Sequence, residues 1–410
     1  MIRSEIALNQ FHKQIKDFAE FGTATKVLMK DFQGTRIPVY VNEFWTAKQR
    51  AAHSLHEVSY RACFKPQLPR FFIDRFTDPG EKVYDPFMGR GTTLLEAALM
   101  KRIPVGCDVN PLSALLCTPR LHAPTLAEIK NRLDKIPLDT PTDIREDLLV
   151  FYHPDTLREL SSLREYFLDK EKKKTLDSID SWIRMVATNR LTGHSPGFFS
   201  VYTLPPNQAV SIASQIRINE KRQQTPPARD IRAIILKKSK NLLGDLTDVE
   251  KKNLLSIGDK SQCVTSNSQS TPSIAAKSIA LVVTSPPFLD IVQYDQDNWL
   301  RCWFNGIDSK TVPIWQLRNP QAWQDAMAAV FKELHRILVK DGMVAFEVGE
   351  VRNGKILLED LVMPAAMSAG LEPIAVLIND QEFTKTSNCW GVDNAAKGTN
   401  TNRIVILQKR

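Results

Sequence analysis

The sequence predicts an α/β fold in which a mostly parallel, Rossmann-like sheet carries helices on both faces. Short apolar runs alternate with helical patterns before residue 120 and again after residue 252. Two of these runs, Lys82 to Tyr84 and Ile279 to Val283, are each followed by a loop, as parallel strands are. The stretch between these two parts has helical spacing and many charged residues, which predicts a large, mainly helical insertion in the sheet.

The first part contains a βαβ pattern. A proline-opened amphipathic helix over 66–76 precedes a strand to Asp85, a Gly-rich turn, a helix from Thr92 to Lys101 and a strand ending at Asp108. We therefore expect three regions: 1–120, an N-terminal segment with the first part of a catalytic domain; 121–252, the helical insertion; and 253–410, the second part of the catalytic domain.

The second part resumes the alternation after a strand and turn predicted at Leu254 to Asp259. The polar stretch 260–278 is typical of a surface loop. A strand to Val283 follows, then a helix over 323–338, a strand over 343–349, a helix over 357–369 and strands over 374–378 and 403–408.

Composition narrows the class of protein. Of 410 residues, 43% are hydrophobic and 24% charged, as in ordinary globular proteins. No apolar run reaches the ~18 residues of a membrane helix. The first residues lack the basic-then-apolar order of a signal peptide, so we expect a cytoplasmic protein.

The six cysteines are scattered and form no CxxC pair, which predicts neither zinc nor disulfides, and no metal site is expected. The net charge of +8 suits a polyanionic partner.

The turn between Asp85 and Thr93 is suited to binding a cofactor. Gly89 and Gly91 permit a tight turn and close approach to backbone amides, and the helix that begins at Thr92 attracts anionic groups. No Gly-Lys-Ser/Thr follows, which argues against a P-loop. Asp108 is placed to accept both ribose hydroxyls of an adenosine group, and Asp259 to accept the adenine amine. A plain tight turn, with Asp108 as a helix cap, is the alternative for the loop, and an ordinary turn aspartate is the alternative for Asp259.

The segment Thr284-Ser285-Pro286-Pro287-Phe288 predicts a rigid polar and aromatic clamp. Two prolines fix φ and remove two donors, which frees nearby carbonyls to point into a cavity. The Ser285 hydroxyl and one carbonyl would accept the N–H groups of an exocyclic amine, and Phe288 would stack on the extruded base. The alternative is a Pro-Pro turn that only ends a strand. In a doubly wound sheet the two loops meet where the winding reverses.

These segments resemble the S-adenosylmethionine-dependent DNA amino-methyltransferase family over residues 45–120 and 253–410. Ser285-Pro286-Pro287-Phe288 resembles its cytosine-N4 branch, whereas adenine-N6 enzymes usually carry Asp or Asn before Pro-Pro. The resemblance implies a cytosine-N4 DNA methyltransferase that uses S-adenosylmethionine. Its order of motifs departs from the common cytosine-N4 arrangement, because the cofactor motif comes first. The cofactor residues implied are Lys65, Asp85, Pro86, Phe87, Gly89, Gly91, Thr92, Thr93, Asp108, Asn110 and Asp259.

Double-stranded DNA is the expected partner, a cognate restriction endonuclease is a further candidate, and no membrane partner is expected. Residues 217–240 are rich in basic side chains that would contact phosphates. The expected DNA-contacting residues are His194, Arg217, Lys221, Arg222, Arg229, Arg232, Lys237, Lys238 and Trp390. The alternative for the basic residues is a helix face that contacts only solvent. The alternative for the loop around His194 is packing against the catalytic domain. Adenine-N6 methylation and RNA base methylation remain open as activities.

Overall fold

The computed structural model describes residues 5–32, 34–45, 52–61, 63–139, 141–204, 208–289, 294–352, 354–380 and 402–410. Its strands are β1 (Lys26–Phe32), β2 (Thr35–Asn42), β3 (Lys82–Asp85), β4 (Ile103–Asp108), β5 (Gln262–Thr265), β6 (Ile279–Thr284), β7 (Leu338–Val348), β8 (Glu350–Val351), β9 (Ile356–Leu357), β10 (Leu371–Asn379) and β11 (Asn402–Lys409).

The α-helices of these ranges are distributed along the whole chain. They are α1 (Glu5–Lys16), α2 (Gln67–Phe76), α3 (Thr92–Leu99), α4 (Pro111–Leu121), α5 (Leu126–Leu133), α6 (Pro154–Lys172), α7 (Ser178–Thr188), α8 (Ile212–Arg222), α9 (Ile231–Leu242), α10 (Asp248–Gly258), α11 (Tyr294–Phe304), α12 (Pro320–Ile337) and α13 (Leu358–Ser368).

The main sheet has the strand order β1-β2-β10-β11-β7-β6-β3-β4-β5 in the described ranges. Strands β5, β4, β3, β6 and β7 are parallel to one another, and β11 is antiparallel to β7 and β10. The chain proceeds from β3 outward to β4 and β5, then returns to place β6 on the other side of β3. The winding therefore reverses between β3 and β6, where open α/β sheets bind ligands. The predicted fold class is confirmed.

Strand β6 shows why the centre of this sheet is buried on both faces. Leu281 and Val283 belong to a buried cluster with aromatic residues of α2, whereas Val282 belongs to another cluster with residues of α12 and α13. Because side chains alternate along a strand, an all-apolar strand fills both layers at once. All six residues of β6 are buried, which fixes its end rigidly beneath the following loop.

Helices α5 to α10 lie between β4 and β5 and contribute to a core of their own. Trp182, Phe167 and Phe199 are among its fully buried side chains. Thr125 and Thr247 begin α5 and α10 with capping boxes. The domain boundaries at residues 120 and 252 stay predictions; residue 252 falls inside α10.

Two sequence predictions near residue 260 were wrong. Residues 254–258 are the last turns of α10 and not a strand, because the capping box of Thr247 with Glu250 starts a helix that runs to Gly258. The polar stretch predicted as a loop contains β5, which pairs in parallel with β4 at the edge of the sheet. Edge strands tolerate polar residues because one side faces solvent.

Candidate active site

A cleft lies outside the carboxyl ends of β3, β4, β5 and β6. In open α/β sheets this is where ligands bind. Several predicted site residues come together there, from both motifs. The residues that line it are Tyr60, Cys63, Phe64, Asp85, Phe87, Met88, Gly89, Thr92, Asp108, Val109, Asn110, Ser268, Ser285, Pro287, Ile314 and Trp315.

The glycine loop forms one wall of the cleft. Gly89 and Gly91 both have positive φ angles, +48° and +74°. A Cβ at Gly91 would lie 2.5 Å from the Sγ atom of Cys117, so a side chain at this position has no room. Thr93, behind the loop, donates a hydrogen bond from its hydroxyl to the Val283 carbonyl at 3.0 Å, which ties α3 to β6. Gly91, Thr93 and Pro86 therefore support the wall and do not line the cleft.

Asp108 joins the end of β4 to the glycine loop. One carboxylate oxygen accepts the Gly89 N–H and the other accepts the Asn110 N–H, both at 2.9 Å. Each oxygen keeps a further lone pair, because an ionised carboxylate has about four acceptor positions. Burial raises the pKa of Asp108, and these N–H groups oppose the rise. The helix cap of α4 is Asn110, whose Oδ1 accepts the Leu112 N–H, so Asp108 does not serve as that cap.

Asp85 links the two motifs. Its Oδ1 accepts the Thr284 hydroxyl at 2.6 Å and the Phe87 N–H at 3.0 Å. Burial is the main reason that the pKa of Asp85 rises to about 7. Asp85 lines the cleft. The hydrogen bond from Thr284 to its Oδ1 joins the end of β3 to the end of β6.

Ser285 lies on the opposite wall, beside a carboxyl group that the sequence analysis did not identify. Its side chain is hydrogen-bonded to Glu347, at the end of β7, and Asn402 of β11 bonds the same carboxyl. Burial raises the pKa of Glu347 to about 7. The only signal in the sequence was a glutamate inside the otherwise apolar run from Met343 to Val348, which indicates a buried polar group with a specific partner.

The clamp is anchored from α12. The indole N–H of Trp323 donates to the Pro287 carbonyl at 2.8 Å, while Pro286 is buried. Phe288 packs against the core between β6 and α12 and does not line the cleft. The predicted stacking position of Phe288 is therefore wrong in this structure. Trp315, from the loop after α11, is an aromatic side chain of the cleft, with its ring centroid 5.9 Å from that of Phe87.

Two basic residues lie near the glycine loop. Lys65 follows Phe64 of the cleft wall, and its pKa is lowered by burial and by the positive charge of Arg90. Arg120, which the sequence analysis missed, is fully buried and donates to the carbonyls of Arg90 and Leu55. The buried guanidinium holds the loop from behind.

Asp259 does not lie at this edge of the sheet. It follows α10 and precedes β5, so it is at the opposite end of that strand from the cleft. Its carboxylate is exposed and lies 3.3 Å from His122. The prediction that Asp259 contacts the cofactor is corrected for this reason. Ser268, which follows the carboxyl end of β5, lines the cleft instead.

The basic residues between 217 and 240 differ in exposure and in hydrogen-bond partners. Arg232 donates to the Leu133 and Ile136 carbonyls, and Lys238 is buried and paired with Glu57 at 3.1 Å. These two have structural partners, which corrects their assignment to DNA. Arg229 is partly exposed. The exposed members are Arg217, Lys221, Arg222, Lys237 and Lys240.

The loop around His194 packs its aromatic residues inward. Phe198 and Phe199 are buried, and the Arg190 guanidinium lies 4.0 Å from the Phe198 ring centroid. His194 itself is exposed. Trp390, predicted to contact DNA, lies outside the described residues.

Comparison with known proteins gives partial matches. Residues 16–114, which include the glycine loop and Asp108, match the family model described as DNA methylase. The Type II methyltransferase M.MjaII of Methanocaldococcus jannaschii is 28% identical over 31% of this chain and 24% of the relative. The Type II methyltransferase M.BsoBI of Geobacillus stearothermophilus is 24% identical over 65% of this chain and 55% of the relative.

These sequence matches support the S-adenosylmethionine-dependent DNA methyltransferase family. The chain spans about a quarter of the first methyltransferase and just over half of the other. A solved TehB-like SAM-dependent methyltransferase from Corynebacterium glutamicum covers 83% of this chain and 87% of that one, at 9% identity and a TM-score of 0.30. At the level of the family, the predicted cofactor S-adenosylmethionine is confirmed.

No helix in the described part of the chain is both long and apolar enough to cross a membrane. Among the same residues, no cluster of three or more His, Cys, Asp or Glu side chains is suited to hold a metal ion.

Proposed function

We propose that the protein methylates the N4 amine of a cytosine flipped out of double-stranded DNA, with S-adenosylmethionine as the methyl donor. The observation that carries the proposal is the shared cleft, in which Asp108 and Gly89 face Ser285 and Pro287. The cofactor wall contains Asp108 and Gly89, and the acceptor wall contains Ser285 and Pro287. The two walls meet at the point where the sheet reverses its winding. The serine before Pro-Pro favours cytosine N4 over adenine N6.

The residues of the cofactor wall suit an adenosine with a charged amino-acid end. The remaining lone pairs of Asp108 are available to two ribose hydroxyls. Val109, Phe87 and Trp315 provide apolar faces for the adenine ring, and Ser268 can bond its edge. We assign Lys65 to the carboxylate end. When bound, the cofactor supplies an electrophilic methyl group on a sulfonium.

The acceptor wall prepares the base. The lone pair of an exocyclic amine is delocalised into the ring, so the amine is a weak nucleophile. Accepting its two N–H groups at Ser285 Oγ and at the carbonyl of Ser285 or Pro286 favours a pyramidal nitrogen. The Pro287 carbonyl already accepts the Trp323 N–H, which keeps the clamp in place. Rigid placement of the reacting nitrogen lowers the entropic part of the barrier.

Mass spectrometry of nucleosides tests this proposal. The purified protein is incubated with S-adenosylmethionine and either duplex DNA or structured RNA of mixed sequence, and each product is digested to nucleosides. We expect N4-methylcytosine in the DNA reaction. N6-methyladenine alone would replace the proposed base with the adenine alternative, and methylation of RNA but not DNA would overturn the choice of nucleic acid.

DNA contact is assigned to α8, which is joined to α11, the helix that follows the clamp in the chain. The residues just before α8 bond to α11: Ala209 N–H donates to the Asp297 carbonyl, and Trp299 to the Val210 carbonyl. Arg217 and Lys221 are exposed on the helix that follows. Arg222, at its end, lies 3.7 Å over the Tyr202 ring, which orders the guanidinium.

Replacing Arg217 and Lys221 together with alanine tests this surface. Loss of two phosphate contacts should weaken DNA binding and reduce the slope of log K against log salt by about 2, without changing cofactor affinity. The matched control is Lys172→Ala with Lys173→Ala at the end of α6, which removes the same charge. Equal losses in the two pairs would show that only net charge matters.

A further inference from the structure

Glu347 is a buried carboxyl group bonded to Ser285 of the acceptor wall, and the proposed function does not yet use it. It lies near the end of β7, and the preceding residue, Phe346, pairs with Thr284, the residue before Ser285. Only 7% of Glu347 is exposed. Because the ends of β6 and β7 are adjacent in a rigid sheet, this carboxyl is held beside the clamp.

The hydrogen bonds of Glu347 constrain Ser285. Its carboxyl bonds to the Ser285 side chain and accepts the amide N–H of Asn402, at the start of β11. An ionised carboxylate has no hydrogen to donate, so the Ser285 hydroxyl must donate to it. The lone pairs of Ser285 Oγ are then left to accept from a group in the cleft. Without this partner, the hydroxyl could rotate and present its hydrogen to the amine.

We propose that Glu347 is a positioning residue, which orients the Ser285 hydroxyl and receives through it the proton that the base amine loses. This proposal rests on the proposed methylation of an exocyclic amine. It adds a proton acceptor to a site where Ser285 and the main chain otherwise act only as hydrogen-bond acceptors.

The step balances without a further reactant. The amine nitrogen forms the new N–C bond with its lone pair, and the electron pair of the broken C–S bond stays on sulfur. The methylated nitrogen then loses one proton to Ser285 Oγ, while the hydroxyl proton of Ser285 passes to the Glu347 carboxylate. Glu347 ends protonated, the serine is restored, and the proton later leaves to water.

The surroundings of Glu347 suit this exchange. Burial raises the pKa of Glu347 to about 7, and the bonds from Ser285 and Asn402 oppose that rise. No charged side chain in the described part of the chain contributes to this pKa. Asp85, which lines the cleft, also has a pKa that rises to about 7 by burial, and it accepts a hydrogen bond from Thr284. A proton acceptor works best when its pKa is near the working pH.

Glu347→Gln tests the proposal in the full-length protein. Glutamine keeps the size and an acceptor oxygen but cannot take the proton. With duplex DNA and saturating cofactor, we expect kcat to fall about 100-fold, the usual scale for loss of proton transfer. The Kd for S-adenosylmethionine should stay within about twofold. In the wild type, kcat should rise with pH through about 7 as Glu347 ionises, and this rise should disappear in the variant.

Glu359→Gln is the matched control, because Glu359 is also a buried glutamate with a pKa raised by burial. It bonds to Arg403 at 2.6 Å, whereas Glu347 bonds to Ser285 of the clamp. We expect this control to keep the wild-type pH profile. An unchanged kcat in Glu347→Gln, a rise through pH 7 that persists there, or an equal loss of cofactor affinity would overturn the proposal. A wild-type protein that methylates no base would overturn the proposed function, and this inference with it.

Discussion

The cofactor wall keeps its shape through bonds among neighbouring loops, whereas the acceptor wall depends on side chains from distant elements. Asp108 bonds to the Gly89 and Asn110 amides, all close to β3 and β4. The clamp is instead held by Trp323 from α12 and by Glu347 from β7. Changes at the first wall should therefore affect local backbone shape and cofactor affinity. Changes at supports of the second wall should affect turnover.

The largest effect is expected for Gly91→Ala. The residue would adopt a left-handed φ, at a cost of about 1–2 kcal/mol, and its Cβ would clash with Cys117, at about 1–3 kcal/mol. We expect a loss of ~4 kcal/mol in the free energy of unfolding, measured by urea denaturation. Gly80→Ala is the control, because φ is +87° there but nothing lies within 4 Å of the added Cβ. If both variants lost the same free energy of unfolding, the contact with Cys117 would not explain the loss at Gly91.

The acceptor wall should make stability depend on pH. The folded pKa of Glu347 is about 7, above its ordinary value of 4.5, so the folded state binds this proton more tightly. This stabilisation is complete below about pH 4.5 and is lost as pH rises through about 7. Relative to Glu347→Gln, the wild type should lose up to about 3 kcal/mol over that range.

Denaturation curves at pH 5, 6, 7 and 8 measure this difference. Asp85 contributes in the same direction in both proteins, because its pKa also rises to about 7. Parallel stability curves for the wild type and Glu347→Gln would contradict a Glu347 whose pKa is raised to about 7 by burial.

A smaller effect is expected for Trp323→Phe. It removes the N–H that holds the Pro287 carbonyl, a net contribution of about 1 kcal/mol. Loss of clamp alignment should lower kcat roughly tenfold with little change in cofactor Kd. Trp182→Phe, which breaks a 3.0 Å bond to Ser239 within the helical core, is the control. A similar loss of kcat in that control would show that general destabilisation explains the effect.

The same comparison explains what the sequence could predict. The glycine loop and Asp108 were recognisable because backbone conformation and spacing are local, and the winding of the sheet brought Ser285 to face them. The prediction for Asp259 was wrong because the last turns of α10 were predicted as a strand, although the capping box of Thr247 was visible in the sequence. Glu347 and Trp315 were missed because their approach to the cleft depends on tertiary packing.

Surface residues were the least predictable. Arg232 and Lys238 lie in the same basic segment as Arg217, yet they bond to buried groups of the helical region. Basic composition alone does not distinguish a lysine that pairs with Glu57 from one that faces solvent. That distinction requires the packing of α9 against its neighbours.

Methyl transfer to duplex DNA at varied cofactor concentration, compared between Asp108→Ala and Ser285→Ala, tests most directly whether the two walls have separate roles. Asp108→Ala should raise the KM for S-adenosylmethionine at least about tenfold and regain most of the wild-type rate at saturation, because it removes cofactor binding. Ser285→Ala should keep KM and stay about 100-fold slower at every concentration. Recovery of Ser285→Ala by added cofactor, with no recovery of Asp108→Ala, would contradict the account.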